Sequence, residues 1–224
     1  MISDETRQKL QNIVRGDVLE GHEDHCTTIR NLLCQSFGSD PTVKKEFESR
    51  SIVKEEQARF LKANAKDKGF WMHSLPEGCQ YLTHGGESEI YLAPDQLHVI
   101  KVNDAVYYAT WLEYLNSLLI HNLLFPNTAY EFVGFTLGKE GELKAVLQQR
   151  FIEGEQADLS DIKEHLNFNG FAHTKRQDYF NIEFGLILED MHDENVIARN
   201  DVLFFIDTVF YITEGKKSEH TIPY

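Results

Sequence analysis

The N-terminal third of the chain places apolar residues three or four positions apart among charged ones. Residues 2–14, 25–37 and 53–66 each follow this spacing, which is typical of amphipathic helices. Turn-forming glycine and proline interrupt the pattern, most clearly at residues 38–41. We therefore predict three helices that pack as a cap on the rest of the chain.

From residue 70 onwards the apolar runs become short and rich in β-branched and aromatic side chains. Residues 70–72, 80–82, 89–92 and 97–102 form such runs. Glycine, proline and aspartate lie between them, as they do in the turns of hairpins. This pattern predicts a series of antiparallel strands.

A longer stretch with helical spacing comes next. Asp104 is a suitable N-cap for a helix that extends to residue 122, ahead of Pro126. Residues 129–137 and 143–151 then read as two strands joined by a Gly-Lys-Glu-Gly turn. The predicted order is strands, one long helix and two more strands.

The C-terminal part mixes both kinds of pattern. Residues 159–166 and 175–186 have helical spacing, whereas residues 195–198 and 202–206 are short apolar strands. A polar segment, residues 214–224, follows them. We expect two helices, then a hairpin, then a loose tail.

The composition is that of a globular protein with surplus acidic residues. Thirty-six acidic residues against 22 basic ones give a formal net charge of −14 over 224 residues. General binding to nucleic acid or an anionic membrane is not expected, because both require a basic face. No apolar run reaches the roughly 20 residues of a membrane helix. The 3 cysteines form no CxxC pair, so we expect reduced thiols and a cytoplasmic protein.

One segment carries a specific chemical signature. Residues 188–195 read LEDMHDEN, and residues 203–207, after the predicted hairpin, read LFFID. The spacing Asp190-x-x-x-x-Asn195, followed by Asp207 after an apolar strand, resembles the catalytic loop and metal-binding strand of the protein-kinase-like superfamily. The D-x-H-x-x-N form within it is also typical of aminoglycoside-phosphotransferase-like kinases.

The resemblance implies a role for each of these residues. A carboxylate beside an acceptor hydroxyl can take its proton, which makes Asp190 the expected catalytic residue. An amide and a second carboxylate offer the oxygen ligands that magnesium prefers, which makes Asn195 and Asp207 the expected metal ligands. The implied cofactors are ATP and Mg²⁺. The alternative is that acidic and amide residues simply populate a solvated turn.

Upstream segments match further parts of the same pattern. Gly85, Gly86 and Ser88 resemble a reduced phosphate-covering loop, although an ordinary hairpin turn would have the same composition. Lys101 in VIKV resembles the strand lysine that meets the nucleotide phosphates; its alternative is an edge-strand lysine that discourages aggregation. Glu113 on the following helix is the expected partner of Lys101, or else a solvated helix carboxylate.

The closest resemblance is to the kinase-like domains of polyvalent proteins from bacterial mobile elements and phages. It is carried by the segments GGES, NDAVYY, PNTAYE and DT. It implies an α+β, protein-kinase-like bilobal fold, with an antiparallel-sheet N-lobe containing one long helix, a reduced helical C-lobe and extra N-terminal helices. The implied domains are a helical region at 1–69, an N-lobe at 70–152 and a minimal C-lobe at 153–224.

The function implied is ATP- and Mg²⁺-dependent transfer of the γ-phosphate to a hydroxyl of a protein or a small molecule. Three departures support an alternative. Leu188-Glu189 stands where kinases usually have His-Arg, Thr208-Val209 stands where D-F-G would continue, and no A-P-E segment follows. The alternative is an inactive pseudokinase that senses nucleotide or binds a protein.

Two further hypotheses concern the N-terminal region. Its acidic helices could bind a basic protein partner. His22, His25, Cys26 and Cys34 together invite a zinc site, but no second pair of ligands has the spacing of a zinc finger. We favour buried helix positions for the cysteines and a solvated turn for the histidines.

Overall fold

The computed structural model describes residues 2–20, 24–38 and 47–213. The predicted polar tail at 214–224, the break at 39–41 and His22 lie outside these residues. Within the described part, no helix is both long enough and apolar enough to cross a membrane. The described elements comprise five α-helices and antiparallel sheets, which confirms the mixed helix and strand class.

The predicted N-terminal helices are all present, and their ends follow from capping. The helices of the structure are α1 (Asp4–Arg15), α2 (His25–Phe37), α3 (Phe47–Asp67), α4 (Trp111–Leu124) and α5 (Leu159–Phe168). Ser3 caps α1 and Asp24 caps α2, each accepting a hydrogen bond from a first-turn amide. Gly16 ends α1 with a left-handed φ of 75°.

The next strands form one antiparallel sheet in the order β1-β2-β3-β5-β4. Its strands are β1 (Gln80–His84), β2 (Ser88–Leu92), β3 (His98–Asn103), β4 (Tyr130–Leu137) and β5 (Leu143–Arg150). All five were predicted. The predicted strand at 70–72 is instead a single bridge, between Trp71 and Phe135. Because β3 lies between β2 and β5, the edge-strand interpretation of Lys101 is wrong.

The long helix begins later than predicted. Asp104 is not its N-cap, because Ala105 adopts a left-handed φ of 55° and its amide is bound by the side chain of Asn103. The chain turns there, and Thr110 caps α4 by accepting a hydrogen bond from the Glu113 amide at 3.1 Å. The predicted first turns of the helix are therefore a loop, residues 104–110.

The C-terminal part has more strand and less helix than predicted. Its strands are β6 (Glu155–Gln156), β7 (Ala172–His173), β8 (Tyr179–Asn181), β9 (Leu186–Glu189), β10 (Val196–Arg199), β11 (Val202–Phe205) and β12 (Val209–Ile212). They form two sheets, ordered β11-β10-β6 and β12-β9-β8-β7. The predicted helix at 159–166 is confirmed as α5, and the predicted hairpin is β10–β11.

The predicted helix at 175–186 is wrong. The segment contains β8, a turn and the start of β9, with Tyr179 opposite Leu188. Gly185 has a left-handed φ of 63°, which a continuous helix does not allow. The helical component of the predicted C-lobe is therefore smaller than expected, and a four-stranded sheet takes its place.

Helix α4 is the element on which the N-terminal helices pack. Helices α1, α2 and α3 all contact it, as do β4 and β12. Arg30 of α2 is fully buried at this junction. Its guanidinium donates to Asn116 Oδ1 of α4 at 3.0 Å, to the carbonyl of Ile13 at 3.5 Å and to the carbonyl of Asp17. One side chain thus holds α1, α2 and α4 together.

We expect Arg30→Ala to lower the free energy of unfolding by about 3 kcal/mol, because buried acceptors lose a charged donor. Urea unfolding followed by circular dichroism measures this. The exposed Arg59→Ala on α3 is the control, with an expected change below about 0.5 kcal/mol. Equal changes in both variants would show that Arg30 does not stabilise the junction.

Candidate active site

A buried lysine joins the first sheet to the segment after β11. Lys101 is only 5% exposed. Its Nζ donates to the carbonyl of Ile206 at 2.7 Å and lies 3.9 Å from Asp207 Oδ2. The ring centre of Tyr130 is 5.2 Å from the same nitrogen, and the Tyr130 hydroxyl donates to the Ile206 carbonyl at 3.0 Å. A buried cation, a carboxylate and an aromatic face therefore meet at one point.

The β10–β11 hairpin brings Asn195 to the same point. Val196 pairs with Phe205, so the residues just outside the hairpin are neighbours. The carbonyl of Asn195 accepts from the amides of Ile206 at 2.9 Å and Asp207 at 3.4 Å. Asn195 and Asp207, the two expected metal ligands, thus lie at the open end of one hairpin.

Asp190 lies at the other end of the loop that carries Asn195. The Nδ2 of Asn195 donates to the Asp190 carbonyl at 2.8 Å. Asp190 has a left-handed φ of 62°, and its amide donates to Asp178 Oδ1 at 3.4 Å. Its side chain is 68% exposed, with His192 Nε2 3.5 Å from Oδ2. A strained backbone at this position holds an accessible carboxylate.

The glycine segment forms the turn between β1 and β2. The Gly85 amide donates to the Ser88 carbonyl at 2.8 Å. Ser88 is buried, and its Oγ accepts from Asn103 Nδ2 at 2.9 Å. The Tyr107 hydroxyl lies so close to Gly86 that a Cβ at this position would overlap it. A side chain at position 86 would therefore displace the Tyr107 hydroxyl, whereas the Ser88 hydroxyl is engaged inside the sheet.

The structure does not bring Glu113 to Lys101. Glu113 Oε2 accepts from the Ala109 amide at 2.9 Å, just ahead of α4. Among the described residues, the ion pair that Lys101 forms is with Asp207. The reason is the late start of α4, which puts Glu113 in the first helical turn, where a carboxylate binds free amides. The expected Lys101–Glu113 pair is therefore not formed.

Sequence reasoning missed Glu87, which lies within the glycine turn. Its Oε2 is buried and has no hydrogen-bond partner among the described residues. Burial raises the pKa of this carboxyl from 4.5 to about 7; Asp207 and Asp104 raise it further, while Asn103 and Lys101 oppose the shift. The only signal in the sequence was a carboxylate between Gly86 and Ser88.

Sequence reasoning also missed His121 of α4, a fully buried residue. Its Nε2 donates to the Thr128 carbonyl at 2.9 Å, so Nδ1 accepts from the Thr208 hydroxyl at 2.7 Å. Burial lowers the His121 pKa from 6.5 to about 3, which keeps the ring neutral. Thr128 Oγ1 donates in turn to the Phe205 carbonyl at 2.6 Å. The residues on either side of Ile206-Asp207 are thus fixed from α4.

The residues present fit a magnesium ion. Within the described residues, no group of three or more His, Cys, Asp and Glu side chains could hold a metal by itself. A magnesium site needs fewer protein ligands, since this ion keeps several waters and binds phosphate oxygens. The amide of Asn195 and the carboxylate of Asp207 supply hard oxygens. Glu87 Oε2, which has no hydrogen-bond partner among the described residues, is a further oxygen near Asp207.

The zinc hypothesis gains no support from the described residues. His25 Nδ1 lies 3.2 Å from the Phe132 carbonyl, which accounts for its orientation. Cys26 and Cys34 are buried free thiols, and the Cys26 Sγ contacts the Leu115 carbonyl at 3.9 Å. Cys26 and Cys34 are thus buried positions of α2, whereas His25 is an exposed residue at the start of that helix.

Comparison with models of known families identifies a match. Residues 54–214 match the model of a family described as "Serine/Threonine/Tyrosine Kinase found in polyvalent proteins". The match covers more than two thirds of the chain and contains the glycine turn, Lys101, Asp190, Asn195 and Asp207. Among curated proteins, no match was found.

The depressed pKa of His121 predicts a loss of stability in acid. His121 binds a proton near pH 6.5 in the unfolded chain but only near pH 3 in the folded one. Its contribution to stability is therefore complete above pH 6.5 and is lost as the pH falls from 6.5 towards 3. We expect the stability difference between the protein and His121→Gln to shrink by about 3 kcal/mol between about pH 7 and pH 4. Urea unfolding at several pH values measures it.

The exposed His84→Gln is the control for this series, and its difference should change much less with pH. A His121→Gln difference that stays constant from neutral to acid pH would contradict the buried neutral ring.

The raised pKa of Glu87 predicts the opposite dependence of stability on pH. The folded carboxyl holds its proton up to about pH 7, whereas the unfolded one loses it near pH 4.5. The contribution of Glu87 to stability is therefore fully present below pH 4.5 and is lost as the pH rises through 7. Glu87→Gln should therefore raise the free energy of unfolding by about 3 kcal/mol near pH 8 and by less than about 1 kcal/mol near pH 5. The exposed Glu77→Gln is the control; equal gains in both variants at pH 8 would refute the burial argument.

Proposed function

The chain belongs to the family of serine/threonine/tyrosine kinases found in polyvalent proteins, and from this premise we propose that it transfers the γ-phosphate of Mg-ATP to a hydroxyl group. The observation that carries the proposal is the meeting of Lys101 and Asp207 beside the Asn195 loop. Lys101 Nζ is 3.9 Å from Asp207 Oδ2, and the Asn195 carbonyl binds the amides of Ile206 and Asp207. Phosphoryl transfer depends on such positioning and charge neutralisation more than on covalent help from the protein.

Lys101 is proposed to bind phosphate oxygens of the nucleotide. One ammonium proton is used by the Ile206 carbonyl, and a lysine has three to donate. The remaining protons are available to a phosphate placed between β3 and Asp207. Gly85 and Gly86 would let the backbone of the β1–β2 turn approach the same phosphates. Ser88 has a structural role in β2 in this proposal, because its hydroxyl is bound to Asn103.

Asn195 and Asp207 are proposed to hold Mg²⁺, which when bound would neutralise charge on the nucleotide phosphates. Asn195 also fixes the Asp190 carbonyl through its Nδ2, so one residue would connect the metal site and the catalytic loop. Glu87 stands near Asp207 with an unsatisfied oxygen. We include it as a carboxylate whose charge a divalent cation would offset.

Asp190 is proposed to accept the proton of the acceptor hydroxyl. Its carboxylate is exposed to the open side of the loop, and His192 lies 3.5 Å from it, which restricts its orientation. The backbone contacts of Asp190 to Asp178 and Asn195 hold the carboxylate in place. Such a positioned base contributes by a short proton transfer from the acceptor. Glu113 has no part in this proposal, because its carboxylate caps α4.

The wider predictions belong to the same proposal. We assign residues 70–152 and 153–224 to the two lobes of a kinase-like fold, and residues 1–69 to a helical region packed on α4. The inactive alternative is not favoured, because Lys101, Asp190 and Asp207 are all present. A cytoplasmic location and a basic protein partner stay predictions.

Nucleotide binding and turnover test the proposal separately. Mg-ATP at about 100 times its Kd should stabilise the protein by about 2.7 kcal/mol, measured as a shift in thermal unfolding. Asp207→Asn should lose most of the Mg²⁺-dependent part of this shift. Asp190→Asn should keep the shift but lower phosphate turnover about 100-fold or more.

Asp201→Asn is the matched control, since Asp201 lies in the β10–β11 turn with a left-handed φ of 60° that asparagine adopts readily. It should change neither quantity. An unshifted melting temperature at millimolar Mg-ATP would rule out the nucleotide site, and full turnover in Asp190→Asn would rule out its role as base.

A further inference from the structure

A cleft of about 410 Å³ opens beside Asp190. Three parts of the fold form its walls: the end of β9 with Asp190, strand β12 with Tyr211, and the turn between β7 and β8. Tyr107, from the loop before α4, completes the lining. The volume lies within the range of ligand-binding clefts.

The cleft is connected to the glycine turn through Tyr107. The Tyr211 hydroxyl donates to the Tyr107 carbonyl at 2.9 Å, which ties the loop to β12. The hydroxyl of Tyr107 lies against Gly86. Tyr107 therefore contacts the proposed phosphate-binding turn and also lines the cleft that contains the proposed catalytic base.

Two cations stand on the β7–β8 turn at the cleft. Lys175 and Arg176 are exposed and line it. Their backbone is held in place, because the Asp178 amide donates to the Lys175 carbonyl at 2.9 Å and the His173 ring donates to the Arg176 carbonyl at 2.5 Å. The turn therefore presents both side chains from a defined position.

Neither cation forms an ion pair or a side-chain hydrogen bond with another described residue. This is unexpected in a chain with 36 acidic and 22 basic residues, and carboxylates are close by. Asp178, Glu189 and Asp190 line the same cleft. Asp178 accepts the Asp190 amide at 3.4 Å, and Asp190 faces His192. Asp178 thus holds the backbone of the catalytic loop, and the cleft is lined by three carboxylates and by the two cations.

We propose that this cleft binds a protein segment in which the acceptor serine, threonine or tyrosine is flanked by acidic residues. The acceptor hydroxyl lies at Asp190, and a neighbouring aspartate or glutamate pairs with Lys175 or Arg176. Arginine is suited to this role, since its planar fork matches a carboxylate. A protein is favoured over a small molecule because the family's description names serine, threonine and tyrosine.

This inference rests on the proposed function and describes the same transfer. The acceptor oxygen forms a bond to the γ-phosphorus as the bond from that phosphorus to the β–γ bridging oxygen breaks. The bridging oxygen keeps the electron pair and leaves with ADP. The hydroxyl proton passes to the carboxylate of Asp190. The acidic flanking residue takes no part in the bond changes and acts only in binding.

A charge-reversal experiment tests the inference with the full chain. Serine peptides carrying one aspartate, alanine or lysine at each flanking position are phosphorylated with Mg-ATP, and kcat/KM is measured. The unaltered protein should prefer aspartate over lysine by about tenfold at one or more positions. K175E/R176E should reverse this preference, and K175Q/R176Q should remove it.

K163E/R199E is the matched control. Lys163 and Arg199 are exposed and lie outside the cleft, and their reversal changes the net charge by the same amount. This variant should keep the preference for aspartate. A structural role of the turn would lower all rates together, and only recognition of charge reverses the order of the peptides.

Several outcomes would overturn the inference. The first is a preference for aspartate that survives in K175E/R176E, and the second is the absence of any charge preference in the unaltered protein. The third is transfer of phosphate to small hydroxyl compounds but to no peptide. A rise in the KM for Mg-ATP in K175E/R176E, with peptide preference unchanged, would assign the cations to the nucleotide. The proposed function is judged apart from these results: if Mg-ATP binding and turnover persist in the unaltered protein, only the acceptor inference fails.

Discussion

The buried ammonium of Lys101 is the interaction on which the arrangement of the site depends. A cation that is almost fully removed from water must be paired, and its partners here are the Ile206 carbonyl and the Asp207 carboxylate. Satisfying Lys101 therefore fixes the segment after β11 against β3. The β10–β11 hairpin then carries this constraint to Asn195, and Asn195 carries it to Asp190.

The sequence predicted the parts of the site that are local in the chain. Asn195 and Asp207 flank a hairpin, so strand pairing alone makes them neighbours. Lys101 lies in a run of β-branched residues whose strand was evident. The start of α4 was missed because a left-handed Ala105 and the side chain of Asn103 outweigh the capping potential of Asp104. That error displaced Glu113. Glu87 and His121 were missed because their burial comes from tertiary contacts that no local pattern encodes.

The site is costly to maintain, and the cost falls on the proposed base Asp190 as well as on residues around it. Glu87 keeps a carboxyl oxygen without a hydrogen-bond partner in the described part of the chain, and His121 keeps an imidazole where it cannot easily be charged. Asp190 adopts a backbone conformation that few residues other than glycine occupy. Features of this kind concentrate where function requires them. The packing of α1, α2 and α3 on α4 supplies part of the compensating stability, with Arg30 at its centre.

Tyr107 has a consequence for how the two halves of the site communicate. Its hydroxyl lies on the glycine turn, and its carbonyl is held by Tyr211 at the wall of the cleft. If the turn holds nucleotide and the cleft holds the acceptor, as proposed, a shift of this tyrosine would alter both surfaces. The affinities of the two ligands would then be thermodynamically linked, each changing the other by the same factor.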